Sequence, residues 1–508
     1  MIGKSATAAL LMMACPAFAA GAEAAAESGE AAQPAVAPFV PDTPAWPENP
    51  PATWPIYHLA HPGPDRAIPA DPNCAIFHKG RYHLHYIYQN KGHSFAHLSS
   101  SDLVHWQRHP TVLTPPRTGH GMFSGTAFLT QEGRPAIIYH GQGSGRNQIA
   151  FALDDDLNEW SKPVPVEPRT ADGKPAEMRH WDPDCWLMDG TYYALGGGKN
   201  PTLAKSDDLR NWEFLGELLH PDFPGDLGVA RDEDISCANM FRIGDKWMLL
   251  CISHGLGARY YLGDFKDGKF LPTHHALMNW ARGDFFAPES LLTPDGRRVM
   301  WAWCTQYICH LHQFGRPDDF KGLMDQRKFP PGIQSLPREL SLPEDGVLRI
   351  KPLRELEQLR TEPKTVRDIT IQSDAEHPLE EMSGDTMELE LVLEAPAARE
   401  FGIRLLCGAD GGNGFTISSG NGSKTLRVGY IHPPFELADG EDLTLRIFID
   451  KSMVEVFAND RQAAVAWHEY HPQDLHVRLF SNGGDVKVKR ISSWKMKSIH
   501  AGSTKLPQ

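Results

Sequence analysis

Residues 71–86, DPNCAIFHKGRYHLHY, have the pattern of a β-hairpin. A short apolar run ends at the Lys-Gly pair that finishes with Gly80, and an alternating, aromatic-rich strand follows. An acid, Asp71, stands directly before proline at the start of this hairpin. The stretch WDPDCWLMDGTYYAL, residues 181–195, repeats the arrangement with Asp182 before proline. The two copies predict a repeated structural unit.

The repeat extends over most of the first 300 residues. Turn glycines recur at intervals of 53, 57, 54 and 52 residues: Gly80, Gly133, Gly190, Gly244 and Gly296. The pattern Asp-Leu-x-x-Trp occurs at 102–106, 156–160 and 208–212, where a structural role in turns is predicted. Units of about 50 residues with short strands are typical of β-propeller blades, whereas an irregular β-sandwich would not explain the period. The sequence predicts an all-β protein with a five-bladed propeller at 55–340.

The flanking segments have different patterns. A basic residue, an apolar run and Ala17-Phe18-Ala19 predict a cleaved signal peptide at 1–19, in preference to acylation of Cys15, and hence export to the periplasm or beyond the cell. Residues 20–54 form an Ala/Pro-rich leader. A linker with a short helix is predicted at 341–365, and strictly alternating strands predict a C-terminal β-sandwich at 366–508.

Charge and composition exclude several partners. The net charge is -14 without a basic block, so nucleic acid is not an expected partner, and no apolar stretch is long enough for a transmembrane helix. Eight scattered cysteines, one of them in the signal, indicate at most one disulfide and no zinc site. The histidines at 83, 85, 93 and 97 lack an accompanying acid, so hydrogen-bonded histidines are favoured over a metal site. No cofactor is predicted.

In a propeller the innermost strand of each blade lines the central channel. Counting back about nine positions from the turn glycines gives Asp71, Ser124 and Asp182 in the first three blades, 234–236 in the fourth and 287–289 in the fifth. Acids from distant parts of the chain therefore converge on one axis. Crowded carboxylates repel one another, which shifts their pKa values apart and suits acid–base chemistry.

Six motifs in order resemble glycoside hydrolase family 32, the family of invertases, levanases and inulinases. They are DPN at 71–73, FSGT at 123–126, WDP at 181–183, APES at 287–290, SLPREL at 335–340 and RIFIDKSMVEVF at 446–457. The resemblance runs from about Pro55 to Ile499. It implies a five-bladed propeller with a C-terminal sandwich, in agreement with the repeat count, and a carbohydrate substrate containing β-fructofuranosyl units.

The resemblance also assigns roles. Asp71 matches the nucleophile that forms a covalent fructosyl intermediate, and Asp182 matches the acid that stabilises the transition state. A retaining double displacement places nucleophile and acid/base about 5–5.5 Å apart. Further matches are Asn73, which would orient Asp71, and the sugar-pocket positions Gln89, Phe123 and Ser124. Trp181 replaces the usual arginine beside Asp182, and Arg179, at the same strand parity, is a candidate to substitute for it.

The family's acid/base glutamate is missing. It normally precedes a cysteine, and here Ser236 precedes Cys237. A serine hydroxyl has too high a pKa to protonate a leaving alcohol. Asp234 shares strand parity with Ser236 and is favoured over Glu233, which would need a bulge to turn inward. Glu289 is the third candidate.

Three functions remain open from the sequence. The leading hypothesis is a retaining hydrolase of sucrose, fructo-oligosaccharides, levan or inulin. A fructosyltransferase would use the same intermediate, and a non-catalytic glycan-binding propeller would follow from the two substitutions beside Asp182 and Cys237. Another furanoside as substrate, exo or endo action and the oligomeric state are not fixed by the sequence.

Overall fold

The computed structural model describes residues 52–61, 71–89, 92–280, 285–304 and 332–500. The predicted signal peptide and nearly all of the leader lie outside these residues. Within them the chain forms 33 β-strands in seven sheets, a four-residue helix α1 (Pro115–Thr118) and a 3-10 helix η1 (Arg354–Leu359). No helix in the described ranges is long and apolar enough to cross a membrane. The predicted all-β class is confirmed.

The strands from residue 72 to residue 277 form four antiparallel, four-stranded sheets, each in simple chain order, after a short first strand β1 (Ala60–His61). Blade 1 comprises β2 (Pro72–His78), β3 (Arg81–Gln89), β4 (His93–Ser100) and β5 (Trp106–Leu113). Blade 2 comprises β6 (Gly121–Leu129), β7 (Pro135–Gln142), β8 (Arg146–Phe151) and β9 (Val164–Pro165). Blade 3 comprises β10 (Asp184–Met188), β11 (Thr191–Gly196), β12 (Thr202–Ser206) and β13 (Glu213–Glu217). Blade 4 comprises β14 (Ser236–Ile243), β15 (Lys246–Ser253), β16 (Gly257–Lys266) and β17 (Lys269–Leu277).

The fifth blade joins both ends of the propeller. It contains β18 (Phe286–Leu292), β19 (Arg298–Cys304), β20 (Gly332–Gln334), β21 (Arg338–Ser341) and β22 (Arg349–Pro352). Strand β1 completes it by pairing with β20, Ala60 opposite Ile333. The five-bladed propeller is thus confirmed. Its last strand ends at Pro352, so the predicted linker at 341–365 is too long: β22 buries alternate side chains against the blade.

Two packed sheets make up the C-terminal β-sandwich. The six-stranded sheet holds β23 (Arg360–Ile371), β25 (Thr386–Leu393), β29 (Leu443–Asp450), β30 (Met453–Ala458), β31 (Gln462–Trp467) and β33 (Val486–Met496). The five-stranded sheet holds β24 (Ala375–Pro378), β26 (Glu400–Cys407), β27 (Phe415–Ser419), β28 (Arg427–Val428) and β32 (His476–Asn482). Strict alternation along these strands places one apolar face of each sheet in a shared core, with residues such as Leu389 and Ile403 fully buried.

The repeated sequence signals mark turns, as predicted. All five turn glycines have left-handed backbone: Gly80 (φ 81°), Gly133 (77°), Gly190 (82°), Gly244 (58°) and Gly296 (84°). In the Asp-Leu-x-x-Trp segments the leucines are left-handed as well, with φ of 63° at Leu103. Asp102 Oδ1 there accepts hydrogen bonds from the two N–H groups at 104 and 105. These turns lie between the outer strands of the blades and carry no functional side chain.

The innermost strands of four blades share an irregularity near their first residues. Their pairing register shifts between Asn73 and Ile76 in β2, Met122 and Gly125 in β6, Ser236 and Asn239 in β14, and Phe286 and Glu289 in β18. A bulge of this kind bends the strand and re-aims the side chains before it. The simple odd–even alternation assumed from the sequence therefore fails at the channel mouth.

A buried ionic network joins the propeller to the sandwich. Asp450 accepts hydrogen bonds from the N–H groups of residues 56–58, and His58 Nδ1 lies 2.8 Å from its Oδ2. Glu455 accepts a hydrogen bond from Arg338 Nη2 at 2.7 Å, and its Oε1 lies 3.3 Å from His58 Nε2. We call these four side chains the junction network. They are 0–1% exposed, so every charge in the network is paired inside the protein.

Candidate active site

Four side chains from the first four blades meet at one end of the central channel, and we call them the upper layer. Ser124 Oγ donates a hydrogen bond to Asp71 Oδ2 at 2.8 Å. The Cys237 N–H donates to Asp182 Oδ2 at 3.2 Å. The Cys237 sulfur lies 4.0 Å from Asp71 Oδ2, 3.7 Å from Asp182 Oδ2 and 3.4 Å from Ser124 Oγ. The convergence of Asp71, Ser124 and Asp182 predicted from the repeat is therefore present, with the two carboxylates on either side of one sulfur atom.

The two aspartates of the upper layer are buried acids. Burial raises the pKa of Asp71 to about 6, although the hydrogen bond from Ser124 opposes the shift. Burial and then the negative charge of Asp71 raise the pKa of Asp182 to about 7. Asp71 Oδ1 is buried and accepts no hydrogen bond from any described residue. One carboxylate oxygen at the channel mouth thus has no partner among the residues that the structure describes.

Asn73 positions Asp71 through the backbone. Its Nδ2 donates to the Asp71 carbonyl oxygen at 2.6 Å, and its Oδ1 accepts from the Gly125 N–H at 3.0 Å. The predicted orienting role therefore acts on the main chain and ties blade 1 to blade 2. Only glycine fits at position 125, because an added Cβ would lie 2.0 Å from the Ile138 carbonyl oxygen.

A glycine-rich segment supports Asp182 from behind. Asp182 has an unusual backbone, with φ of 23°, and precedes β10. The Gly197 N–H donates to the Trp181 carbonyl oxygen at 2.7 Å. A Cβ at Gly197 would come within 2.3 Å of the Ile235 carbonyl oxygen and 3.1 Å of that of Asp182. The Gly-Gly-Gly run at 196–198 thus permits close approach of three chain segments at the site.

Aromatic rings form a wall beside the upper layer. The Phe123 ring centroid lies 4.8 Å from that of His93 and 6.4 Å from that of Trp181. The His140 ring stacks on Phe123, with centroids 6.0 Å apart, and is tilted against Trp181 at 5.1 Å. Trp181 Nε1 donates to Ser236 Oγ at 2.9 Å, so its single donor is used within the protein. We call these four rings the aromatic wall; its flat faces suit contact with a sugar ring.

Two further residues, Arg179 and Gln89, were predicted to bind the sugar. Arg179 is exposed, and its guanidinium covers Gly198, where an added Cβ would be 2.2 Å from Nε. The parity argument that paired it with Trp181 is wrong, because residues 177–183 are not a strand. Gln89 is the last residue of β3, and its side chain is outside the described atoms.

The structure places Asp234 in an ion pair. His254 Nδ1 lies 2.5 Å from Asp234 Oδ2, which also accepts the His254 N–H, and Ser236 Oγ donates to Asp234 Oδ1 at 3.0 Å. Burial raises the pKa of Asp234, but these hydrogen bonds and the His254 charge outweigh it, so the pKa is lowered. A carboxyl group held ionised in this way is a poor proton donor, which argues against the choice of Asp234 as general acid.

Neither of the other two candidate acids forms a described hydrogen bond with an upper-layer side chain. Glu233 Oε1 accepts a hydrogen bond from Ser253 Oγ at 2.5 Å, and no described hydrogen bond joins it to the paired aspartates. Glu289 lies deeper in the channel, where Oε1 accepts from the Ala75 N–H at 2.7 Å and Oε2 from Asn239 Nδ2 at 2.9 Å. Burial raises the pKa of Glu289 to about 8. Both of its oxygens brace neighbouring blades.

Glu289 belongs to a second ring of polar groups, the lower layer, with Thr126, Asp184 and Asn239. Thr126 Oγ1 donates to Asp184 Oδ1 at 2.6 Å, and the Met240 N–H donates to Asp184 Oδ2 at 2.5 Å. A cavity of about 430 Å³ opens beyond this layer and is lined by none of the upper-layer residues. Sequence reasoning missed Asp184, although it follows Asp182 by two residues, and it missed Cys237 as a member of the site. Nothing in the sequence singles out His254.

The histidines of blade 1 form a buried stack. His83 Nδ1 lies 3.0 Å from His97 Nε2, and the His97 ring stacks on His85 at 4.6 Å and on His109 at 4.3 Å. Burial lowers the pKa of His83 to about 3 and that of His85 to about 4, so the rings are neutral. No group of three metal-binding side chains occurs in the described part of the chain.

A five-bladed propeller with paired buried acids at its axis and a C-terminal sandwich defines a class of glycoside hydrolases. The chain belongs to glycosyl hydrolases family 32: residues 61–352 match its N-terminal domain and residues 355–495 its C-terminal domain.

Curated relatives and solved structures agree with this assignment. The chain is 26% identical to a sucrose-6-phosphate hydrolase of Escherichia coli over 87% of this chain and 95% of that protein. It is 27% identical to a raffinose invertase of Escherichia coli, with the same coverages, and 28% identical to a levanase of Bacillus sp. (strain L7) over 88% of this chain and 52% of that protein. Fructan 1-exohydrolase IIa from Cichorium intybus shares the fold, with a TM-score of 0.72, 20% identity and coverage of 89% of this chain and 98% of that one.

Proposed function

We propose that this protein is a retaining β-fructofuranosidase that hydrolyses terminal β-fructofuranosyl linkages of sucrose, fructo-oligosaccharides or fructans. The observation that carries the proposal is the upper layer, in which Asp71 and Asp182 face one space and Asp71 Oδ1 has no partner among the described residues. The names of the relatives, which refer to sucrose 6-phosphate, raffinose and levan, support a fructosyl-containing substrate.

Asp71 is the nucleophile of this mechanism. Ser124 hydrogen-bonds to the Asp71 carboxylate, and Asn73 hydrogen-bonds to the Asp71 main chain. The other carboxylate oxygen, Oδ1, then attacks the anomeric carbon of the fructosyl unit. The glycosidic bond breaks and a covalent fructosyl ester forms. Water then attacks the same carbon and restores the Asp71 carboxylate. Two displacements at one carbon retain the anomeric configuration.

Asp182 stabilises the charge that develops on the sugar. Burial and the negative charge of Asp71 raise its pKa, so its own negative charge is poorly compensated by the protein and is stabilised when a cationic sugar forms beside it. Asp182 is then placed to hydrogen-bond fructose hydroxyls, while the aromatic wall contacts the ring face. These interactions strengthen as the sugar flattens toward the oxocarbenium-like transition state.

The experiment is a panel of sucrose, 1-kestose, inulin and levan with product identification at low and high substrate concentrations. We expect free fructose from the wild type and none from Asp71→Asn. Asp189→Asn, in the exposed turn of the blade 3 hairpin, is the matched control and should keep wild-type activity. Longer oligosaccharides as the main product would assign a transferase instead. If no furanoside is cleaved but a fructan raises the melting temperature, the protein is a binding propeller.

Export is a further part of the proposal and rests on the N-terminal pattern of residues 1–19. We expect N-terminal sequencing of the protein recovered outside the cytoplasm to begin at Ala20. A chain that retains Met1 in the soluble cell interior would contradict export without affecting the assigned chemistry.

A further inference from the structure

Because Asp71 and Asp182 act in the proposed reaction as nucleophile and transition-state stabiliser, another group must donate a proton to the leaving oxygen. A sugar alkoxide is a poor leaving group, so glycosidases protonate it as the bond breaks. Ser236 occupies the family position of the donor and cannot perform this role. Asp234 is held ionised, and Glu233 and Glu289 are engaged in other hydrogen bonds.

His254 lies at the same end of blade 4 as Ser236. It is the first residue after β15, which pairs with the innermost strand β14 so that Ser236 is opposite Ile252. This register brings His254 beside Asp234 at the mouth of the channel. Its ring also approaches Phe286, the first residue of β18, with ring centroids 6.1 Å apart. The imidazole thus stands between the fourth and fifth blades.

A continuous chain of hydrogen bonds fixes the ring. Trp181 Nε1 donates to Ser236 Oγ, Ser236 Oγ donates to Asp234 Oδ1, and Asp234 Oδ2 holds His254 Nδ1. The serine that replaces the expected glutamate therefore orients an aspartate toward a histidine. With Nδ1 committed to Asp234, the second nitrogen, Nε2, forms no hydrogen bond with any described residue, and the side chain is 51% exposed. One ring nitrogen is held and the other is open to a ligand.

The largest charge effects on His254 come from acids. Burial lowers its pKa, but the hydrogen bond and charge of Asp234, followed by the charges of Asp182 and Asp71, raise it overall. In the opposite direction, the His254 charge lowers the pKa values of Asp71 and Asp182. This mutual interaction places the imidazolium within electrostatic reach of the proposed nucleophile. The raised pKa favours the protonated ring that the first chemical step requires.

We propose that His254 is the catalytic acid/base of this enzyme and that Asp234 is its positioning residue. The inference rests on the proposed function. In the first step Asp71 Oδ1 bonds to the anomeric carbon, the glycosidic bond breaks, and the Nε2 proton passes to the departing oxygen. In the second step neutral Nε2 takes a proton from the attacking water, the ester bond to Asp71 breaks, and the imidazolium is restored. One water is consumed in each cycle.

Leaving-group dependence tests the assignment. Sucrose has an alkoxide leaving group that requires a proton, whereas the nitrophenolate of 4-nitrophenyl β-fructofuranoside leaves without one. We expect His254→Gln to lower kcat/KM for sucrose by about 10²–10⁴-fold and that for the aryl substrate by less than about 10-fold. Azide, which needs no general base, should restore turnover of the aryl fructosyl intermediate and give fructosyl azide.

A matched control is His105→Gln. His105 Nδ1 lies 2.8 Å from Asp102 Oδ2, and its side chain is 46% exposed, so this pair has similar geometry but stands in an outer turn of blade 1. The His105→Gln variant should keep the wild-type kcat/KM for both substrates.

A second variant, Asp234→Asn, tests the positioning role. In Asp234→Asn the pKa of His254 should fall, which moves the alkaline limb of the sucrose pH profile to lower pH. The effect should appear in kcat with little change in KM, and Asp234→Glu should restore part of it.

Two results would overturn the assignment while leaving the proposed function intact. One is a His254→Gln enzyme with wild-type kcat/KM and pH profile on sucrose. The other is an equal loss on sucrose and the aryl substrate in a variant that melts at the wild-type temperature. A wild-type protein that cleaves no fructoside at all would overturn the proposed function and, with it, the role of His254.

Discussion

The upper layer and the junction network both bury two carboxylates, but they surround them differently. At the junction, Asp450 and Glu455 receive hydrogen bonds from cationic side chains and from backbone N–H groups, and although burial raises the pKa of Glu455, Arg338 and His58 lower it overall. In the upper layer no described lysine or arginine bonds to either aspartate, and both pKa values are raised. The acids of the junction network, which are paired with cationic side chains, connect the two domains, whereas the acids of the upper layer, which lack such partners, are available for chemistry.

The largest effect should follow from removing the charge of Asp71. We expect Asp71→Asn to lower kcat by about 10⁴-fold or more, as for other catalytic nucleophiles. Its melting temperature should stay the same or rise, because the amide can keep the hydrogen bond from Ser124 and ends the repulsion with Asp182. Turnover assays and calorimetry on the same preparation measure both. A variant that loses activity and stability together would show that the upper layer is structural.

The equivalent change at the junction should have the opposite outcome. Glu455→Gln leaves Arg338 without its buried counter-charge and His58 with Asp450 alone, and breaking such a pair costs about 3–5 kcal/mol. Denaturant unfolding measures this loss, and the folded fraction should retain wild-type turnover. Glu436→Gln, in an exposed pair with Lys424, is the control and should cost less than about 1 kcal/mol. Equal stabilities of the two variants would contradict the comparison.

The junction should also respond to alkaline pH. Burial lowers the pKa of His58, but the hydrogen bonds with Asp450 and Glu455 raise it overall to about 9, above the unfolded value of 6.5. The stabilisation is therefore fully present below pH 6.5 and is lost as the pH rises through 9, with a total on the order of 3 kcal/mol. Melting temperatures between pH 6 and 10 measure it, and His58→Gln should flatten the curve. An unchanged slope would exclude His58 as the group responsible.

The smallest effect concerns the edge of the upper layer. Trp181→Phe keeps an aromatic face beside Phe123 but removes the hydrogen bond to Ser236, worth about 1 kcal/mol. We expect about a 5–10-fold loss in kcat/KM for sucrose, since 1.4 kcal/mol corresponds to tenfold, and a stability change below about 1 kcal/mol. A loss as large as that of Asp71→Asn would mean that the indole has a direct role in catalysis.

The repeat explains why so much of the fold could be predicted. Each turn glycine needs a left-handed backbone, so the spacing from Gly80 to Gly296 reports the blades directly. The same spacing predicted that Asp71 and Asp182 meet at one axis, because they lie nine and eight residues before their turn glycines. Alternation was reliable in the sandwich, where strands such as β29 are regular.

Prediction failed where the chain departs from regular strands. The coil before β10 invalidates the odd–even rule for Arg179, whereas Asp234 does lie beside Ser236 as its parity predicted. Ion pairing is also invisible in the local sequence: Asp234 meets His254 from 20 residues away. The predicted linker at 341–365 includes β22, because a strand of only four residues has too short a pattern to be recognised in the sequence.

The stretch from Ile56 to His61 has a consequence for how the protein is made. It is anchored to β20 of the last blade and to Asp450 of the sandwich, roughly 270 and 390 residues later in the chain. A ribosome releases this stretch long before it has synthesised either partner, and contacts of such long range form slowly. The propeller can therefore close only after residue 334 has been synthesised, and the contact with Asp450 forms later still. Until then β1 has an unpaired edge, and such edges can associate with another chain.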